Sequence, residues 1–220
     1  DPKILQIDEH TLCIAVYETY EGENCISFYK STDCRKWEFC SRIMNFYECP
    51  DLFKLKVKNS DEYVWAVYGA SGKYLIGQFE NFEFKPISEG DYIDFGDCVY
   101  AGQTFNNYED ETKRIYTAWL RDHRVDWNYQ SEEPDQDMGF SQSMALFTEF
   151  TVLKTRDGYR MFRAPISQID SLRKNTLELG NSRKINLPVP SETVFVLKRN
   201  EDAEIRIGSA GFRYEAEYNR

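Results

Sequence analysis

The sequence reads as an all-β chain of small antiparallel sheets, of the kind that build a β-propeller, with a different all-β unit starting near residue 176. Three observations carry that reading. Short apolar runs of strand character recur between turn-forming residues over most of the 220 residues. A single segment, Ile166 to Leu172 after Pro165, has the character of a short helix. Past Asn175 the pattern changes to half-buried alternation, as in Thr193 to Leu197, Glu204 to Gly208 and Phe212 to Ala216.

Taken in order, Leu12 to Tyr17 and Cys25 to Lys30 form the arms of a hairpin around Glu21-Gly22-Glu23-Asn24. Ser31-Thr32-Asp33 turns the chain again before Trp37-Glu38-Phe39. Tyr63 to Tyr68 and Lys73 to Phe79 are apolar strands separated by Gly69-Ala70-Ser71-Gly72, and Asn81 to Lys85 alternates Phe82 and Phe84 with polar residues. Arg114 to Leu120 is a further strand. A polar connection follows from Arg121 to about Gly139, and connections of that length are usually functional or mobile. Met144 to Leu153 and Tyr159 to Ala164 flank the turn Arg156-Asp157-Gly158. These strands make about three blades, where a propeller has at least four, so the chain reads as part of a longer one.

Composition narrows the function classes. A formal net charge of -10 with scattered Lys and Arg is a poor match for nucleic acid or an anionic membrane surface. No apolar run approaches membrane-spanning length. The six cysteines form no C-x-x-C pair, and only His10 and His123 could add imidazole, so zinc is not expected and buried thiols are. Asp94, Asp97 and the acidic residues at 200–202 do not follow EF-hand spacing. No signal peptide or initiating Met is visible, and localisation is unknown from the residues.

Two stretches carry chemistry. In Phe46 to Phe53, Glu48 stands between Tyr47 and Cys49, and Pro50 is expected to hold Cys49 extended and Glu48 out of a helix. An apolar wall around a carboxyl raises its pKa, as a general acid requires. Asp94 to Phe105 packs carboxylates, an amide, a hydroxyl and aromatics into a turn-rich segment suited to sugar recognition.

Four ordered segments resemble glycoside hydrolase family 32, the levanases, inulinases and invertases. Asp1-Pro2-Lys3 looks like the end of that family's Arg-Asp-Pro motif, and Glu48-Cys49-Pro50-Asp51-Leu52-Phe53 matches its Glu-Cys-Pro motif. Tyr100, Ala101, Gln103, Thr104 and Phe105 resemble its Tyr-Ala-x-Gln-Thr-Phe segment, and Arg114 to Leu120 its Arg-Arg-Ile-x-x-Gly-Trp strand. Met144 to Leu172 resembles the segment that closes the propeller. The resemblance implies a five-bladed propeller, here its last three blades over 1–175, followed by the first strands of a C-terminal β-sandwich over 176–220. It implies retaining hydrolysis of terminal β-fructofuranosides in levan, inulin or sucrose, a reaction needing two carboxyl groups about 5–5.5 Å apart and no cofactor.

By that resemblance Glu48 is the acid/base and Asp1 holds fructose hydroxyls and stabilises the transition state. Cys49 tunes Glu48, and Tyr100, Gln103 and Trp127 line the substrate pocket. The nucleophile's Trp-Met-Asn-Asp-Pro-Asn motif has no match here, so a missing N-terminal segment is the expected partner. An extracellular or periplasmic location goes with a fructan-degrading enzyme and a cytoplasmic one with a sucrose-type enzyme. A fructosyltransferase and a non-catalytic carbohydrate-binding propeller are the alternatives. The 220 residues alone are expected to be inactive. A partial propeller exposes strand edges and apolar sheet faces, so they are also expected not to remain a folded monomer. Sedimentation and thermal melts check this, and a cooperative melt from a monodisperse monomer would contradict it.

Overall fold

The structure, a computed structural model, describes residues 1–94, 96, 98–121, 143–176, 186, 192–198, 200–207 and 210–215. It divides into two compact units, Asp1–Arg173 and Lys174–Arg220. In the first unit the described strands form three antiparallel sheets, each with a meander of four strands in chain order. Sheet 1 comprises β1 (Lys3–Gln6), β2 (Leu12–Tyr20), β3 (Glu23–Ser31) and β4 (Glu38–Met44). Sheet 2 comprises β5 (Asp51–Lys56), β6 (Tyr63–Tyr68), β7 (Lys73–Glu80) and β8 (Glu83–Pro86), with β9 (Asp91–Tyr92) also on β7. Sheet 3 comprises β10 (Val99–Thr104), β11 (Arg114–Leu120), β13 (Thr148–Thr155) and β14 (Gly158–Pro165), with β12 (Ser143–Met144) also on β11.

Turn chemistry fixes the register. Between Tyr20 and Glu23 only Glu21 and Gly22 intervene, with φ of 51° and 83°. Two positive φ values in a two-residue loop match the twist of the flanking strands. Asn81 and Phe82, φ 52° and 61°, do the same between β7 and β8.

The core explains the apolar runs. Leu52 and Val67 of sheet 2 pack with Cys13, Ala15, Ile26 and Phe28 of sheet 1. Their strand neighbours Phe53, Leu55, Val64, Ala66 and Tyr68 pack with Tyr116, Phe150 and Val152 of sheet 3. Successive side chains of a strand point to opposite faces, so sheet 2 is covered on both, and its strand Tyr63–Tyr68 is apolar at nearly every position. Phe150 is central, with ring centroids 4.5 Å from Tyr116 and 6.2 Å from Phe53. The Tyr68 and Tyr116 hydroxyls meet at 2.8 Å inside this core.

Some expectations change. The expected helix is a 3-10 helix, Ser167–Leu172, with no buried residue; without a buried face or a side-chain cap nothing favours a longer α-helix. Thr193 to Leu197 is not a strand: Val194 and Val196 are 77% and 94% exposed, and no described strand pairs with the segment to bury its alternation. The described part of the second unit holds one hairpin, β15 (Ala203–Ile207) with β16 (Ala210–Tyr214). Cys13, Cys25 and Cys49 are buried as expected, whereas Cys34 and Cys98 are exposed.

Burial pushes the Tyr116 hydroxyl up to about 12, with nearby Asp94 acting in the same direction. Burial raises Tyr68 as well, and its Tyr116 neighbour adds to the rise. A raised folded value contributes stability that is full below the unfolded value near 10 and is lost as pH rises through the folded one. For Tyr116 the loss is about 2–3 kcal/mol between about pH 10 and 12. Burial lowers Lys3, which acts with the opposite sign in alkali, so the difference between variants is the informative quantity. Tyr116→Phe is expected to flatten the alkaline decline relative to the unsubstituted protein, as measured by urea unfolding from pH 8.5 to 11.

Candidate active site

The site forms where the leading strands of the three sheets begin or end. Glu48 and Cys49 lie in the connection from β4 to β5, both with left-handed backbone, φ 42° and 39°. This corrects the extended conformation expected for Cys49 before proline. Tertiary hydrogen bonds hold the unfavourable turn. The Ala70 N–H donates to the carbonyls of Tyr47 and Glu48, both at 3.0 Å. The Gln103 side-chain amide donates to the carbonyls of Cys49 and Pro50 at 3.0 and 3.1 Å. Non-glycine residues in such conformations cost about 1–3 kcal/mol each and cluster at functional sites.

The apolar wall expected around Glu48 is also revised. Glu48 is half-buried, and its carboxylate accepts a hydrogen bond from the Tyr100 hydroxyl. Tyr47, expected as part of the wall, is 43% exposed. The neighbouring Glu48 carboxylate holds the Tyr47 hydroxyl above its ordinary range. Burial raises the Tyr100 hydroxyl first, and its bond to Glu48 raises it further. Tyr100 is therefore a protonated donor to Glu48 at neutral pH. The Arg121 guanidinium lies 4.1 Å from the centre of the Tyr100 ring.

A β-bulge explains how Tyr100 and Gln103 serve one turn. Residues three apart in a regular strand point to opposite faces. In β10, Tyr100 pairs with Trp119 and Gln103 with Thr117, so β10 carries one residue more than β11 between those pairs. Ala101, with φ of 51°, marks the distortion. The extra residue reverses the parity and brings both side chains to the Glu48–Pro50 turn. Gly102 permits it: a Cβ there would lie 2.0 Å from the Tyr116 hydroxyl.

Asp1 joins the site through Cys49, whose thiol donates to Asp1 Oδ2 at 3.5 Å. Burial pushes the Cys49 thiol up, so it stays a neutral donor. The structure thus brings Glu48, Cys49, Tyr100, Gln103 and Asp1 together. Trp127 lies outside the described residues. Lys3 and Asp51, not among the residues expected at the site, form a buried ion pair 3.3 Å apart. Both stood inside segments already singled out, and two opposite charges flanked by apolar residues were the available signal. No cluster of three metal-ligating side chains occurs among the described residues, and no helix there is long and apolar enough to cross a membrane. Two shallow grooves of about 290 Å³ each share Thr11 and Thr32 and contain none of the site residues.

A family model described as Glycosyl hydrolases family 32 N-terminal domain matches residues 1–165. The chain belongs to glycosyl hydrolases family 32. It is 29% identical over 164 residues to an extracellular exo-inulinase of Meyerozyma guilliermondii, covering 66% of this chain and 30% of that protein. It is 30% identical over 217 residues to an invertase of Wickerhamomyces anomalus, covering 84% of this chain and 38% of that one. The chain therefore spans about a third of the length of these family 32 relatives. It shares its fold with the crystal structure of exo-inulinase from Aspergillus awamori, with a TM-score of 0.59 at 18% identity over 75% of this chain and 35% of that one.

The doubly anchored turn makes a stability prediction. Gln103→Leu leaves the Cys49 and Pro50 carbonyls without their donor. The expected loss is about 1–3 kcal/mol, measured by chemical denaturation, for buried acceptors left unpaired.

Proposed function

We propose that the protein carrying this chain is a retaining exo-glycosidase that cleaves terminal β-fructofuranosides of inulin, levan or sucrose. The observation that carries the proposal is one rim in a family 32 chain where Glu48 meets Tyr100 and Cys49 meets Asp1. The names of the exo-inulinase and invertase relatives support the substrate class.

In this reading Glu48 protonates the leaving oxygen and then, as carboxylate, draws a proton from water. The phenol of Tyr100 holds the carboxylate in place, and its bond strengthens when the carboxylate is charged. Asp1 accepts from sugar hydroxyls, oriented by the Cys49 thiol. Gln103 keeps the strained turn in shape, and Trp127 is kept as a pocket candidate. The attacking carboxylate is assigned to sequence upstream of Asp1, because no segment of the chain matches the family's nucleophile motif. The three sheets are read as consecutive propeller blades, and the unit from Lys174 onward as the start of a sandwich. The division at Arg173 supports that boundary.

The test uses the intact protein. Glu48→Gln is expected to lower kcat on sucrose, inulin and levan by at least about 100-fold, the scale of general acid–base catalysis. Early products followed by NMR are expected to keep the anomeric configuration. Unchanged hydrolysis in the variant would defeat the assignment. An isolated 1–220 chain is expected to hydrolyse none of the three.

A further inference from the structure

We propose that Asp51 is a positioning residue that sets the spacing of Asp1, Glu48 and Tyr100 without touching any of them; the inference rests on the glycosidase reading above. Its carboxylate is wholly buried, and each oxygen meets a different sheet. Oδ2 accepts the Thr104 N–H of β10 at 2.6 Å. Oδ1 lies 3.3 Å from the Lys3 ammonium of β1. The same ammonium donates to the Thr104 carbonyl at 2.5 Å, closing a triangle. Arg114 of β11 backs it, donating to the Thr104 hydroxyl at 3.0 Å.

The three corners are Lys3, Asp51 and Thr104, on the leading strands of the three sheets. Each strand carries a site group close to its corner. Asp1 is two residues before Lys3, Glu48 three before Asp51, and Tyr100 and Gln103 four and one before Thr104. Carboxyl groups on separate sheets have no covalent reason to keep a fixed separation, whereas catalysis is lost when they shift by about an ångström. A bare charge pair would serve stability poorly here, since removing both ions from water offsets much of their attraction. Burial accordingly lowers Lys3 despite its partner. What the triangle supplies is register. Asp51→Asn would set an amide N–H against either the Lys3 ammonium or the Thr104 N–H, donor against donor, and loosen the corner where β1, β5 and β10 meet.

The test compares Asp51→Asn and the double variant Lys3→Met/Asp51→Leu with the unsubstituted intact protein. Asp51→Asn is expected to lower kcat on sucrose or inulin by about 100-fold while KM moves less than about threefold. The double variant, which leaves no unpaired ion but strips Thr104 of both backbone partners, is expected to recover part of the melting temperature lost in Asp51→Asn and none of the kcat, whereas a merely structural role would restore the two together. Crystal structures of the unsubstituted protein and Asp51→Asn are expected to differ in the Cys49–Asp1 and Glu48–Tyr100 contacts. A folded Asp51→Asn with unchanged kcat, or one retaining both contacts, would overturn the proposal. So would normal kcat in the double variant, which decides the matter if Asp51→Asn does not fold. If the unsubstituted protein hydrolyses no fructoside, the glycosidase reading fails, and the crystallographic comparison still decides the role of Asp51.

Discussion

The buried contact between Lys3 and Asp51 is the constraint on which the site depends. The Asp51 side chain is wholly buried and that of Lys3 is 9% exposed, so both ions have left water. Such a pair is costly unless other groups share its charge, and here both backbone groups of Thr104 do, its N–H on Asp51 and its carbonyl on Lys3. The arrangement cannot be satisfied by any one sheet. It requires β1, β5 and β10 to arrive at one point in one register, and that is also where the Glu48 turn ends.

The packing beneath makes such precision possible. Sheet 2 is buried on both faces, against sheet 1 through Leu52 and Val67 and against sheet 3 through Phe53 and Tyr68. A one-residue slip of β5 would exchange these two sets, facing the larger Phe53 toward sheet 1 and Leu52 toward Phe150. Register in sheet 2 is therefore set by volume on two sides, and the position of Asp51 follows from it. The strained turn is then held at fixed points: Ala70 from the β6–β7 connection and Gln103 from β10. Strain at Glu48 and Cys49 persists because these neighbours over-determine it.

The all-β class and most strands of the first unit were legible in the sequence, because strand periodicity and turn residues are local signals. Glu21-Gly22 announces its hairpin, and Tyr63–Tyr68 announces a strand buried on both faces. Strand β10 was hidden inside a stretch that reads as turns. Its bulge at Ala101 and the close approach at Gly102 are set by Tyr116, fourteen residues further on, and no local pattern encodes that. Of the site, Glu48 was visible through its motif, but its surroundings were misjudged. Tyr47 and Cys49 suggested an apolar wall, whereas the bulge delivers the Tyr100 hydroxyl and turns the nearest contact polar. The backbone at Cys49 was misjudged for the same reason: the preference imposed by Pro50 is local, and the hydrogen bonds from Ala70 and Gln103 that override it come from other strands.

The polar contact at Glu48 bears on mechanism. A carboxyl set in an apolar wall is tuned to hold its proton. One that meets the Tyr100 hydroxyl is held in place in either state, because a hydroxyl can donate to the anion and accept from the acid. Retaining hydrolysis asks the same residue to be an acid in its first step and a base in its second. A hydroxyl partner keeps the carboxyl in position through both steps. That role explains why the bulge in β10, which spoils a regular strand, sits beside Glu48: without it Tyr100 and Gln103 would face opposite sides of the sheet, and either the carboxylate or the turn that presents it would lose its support.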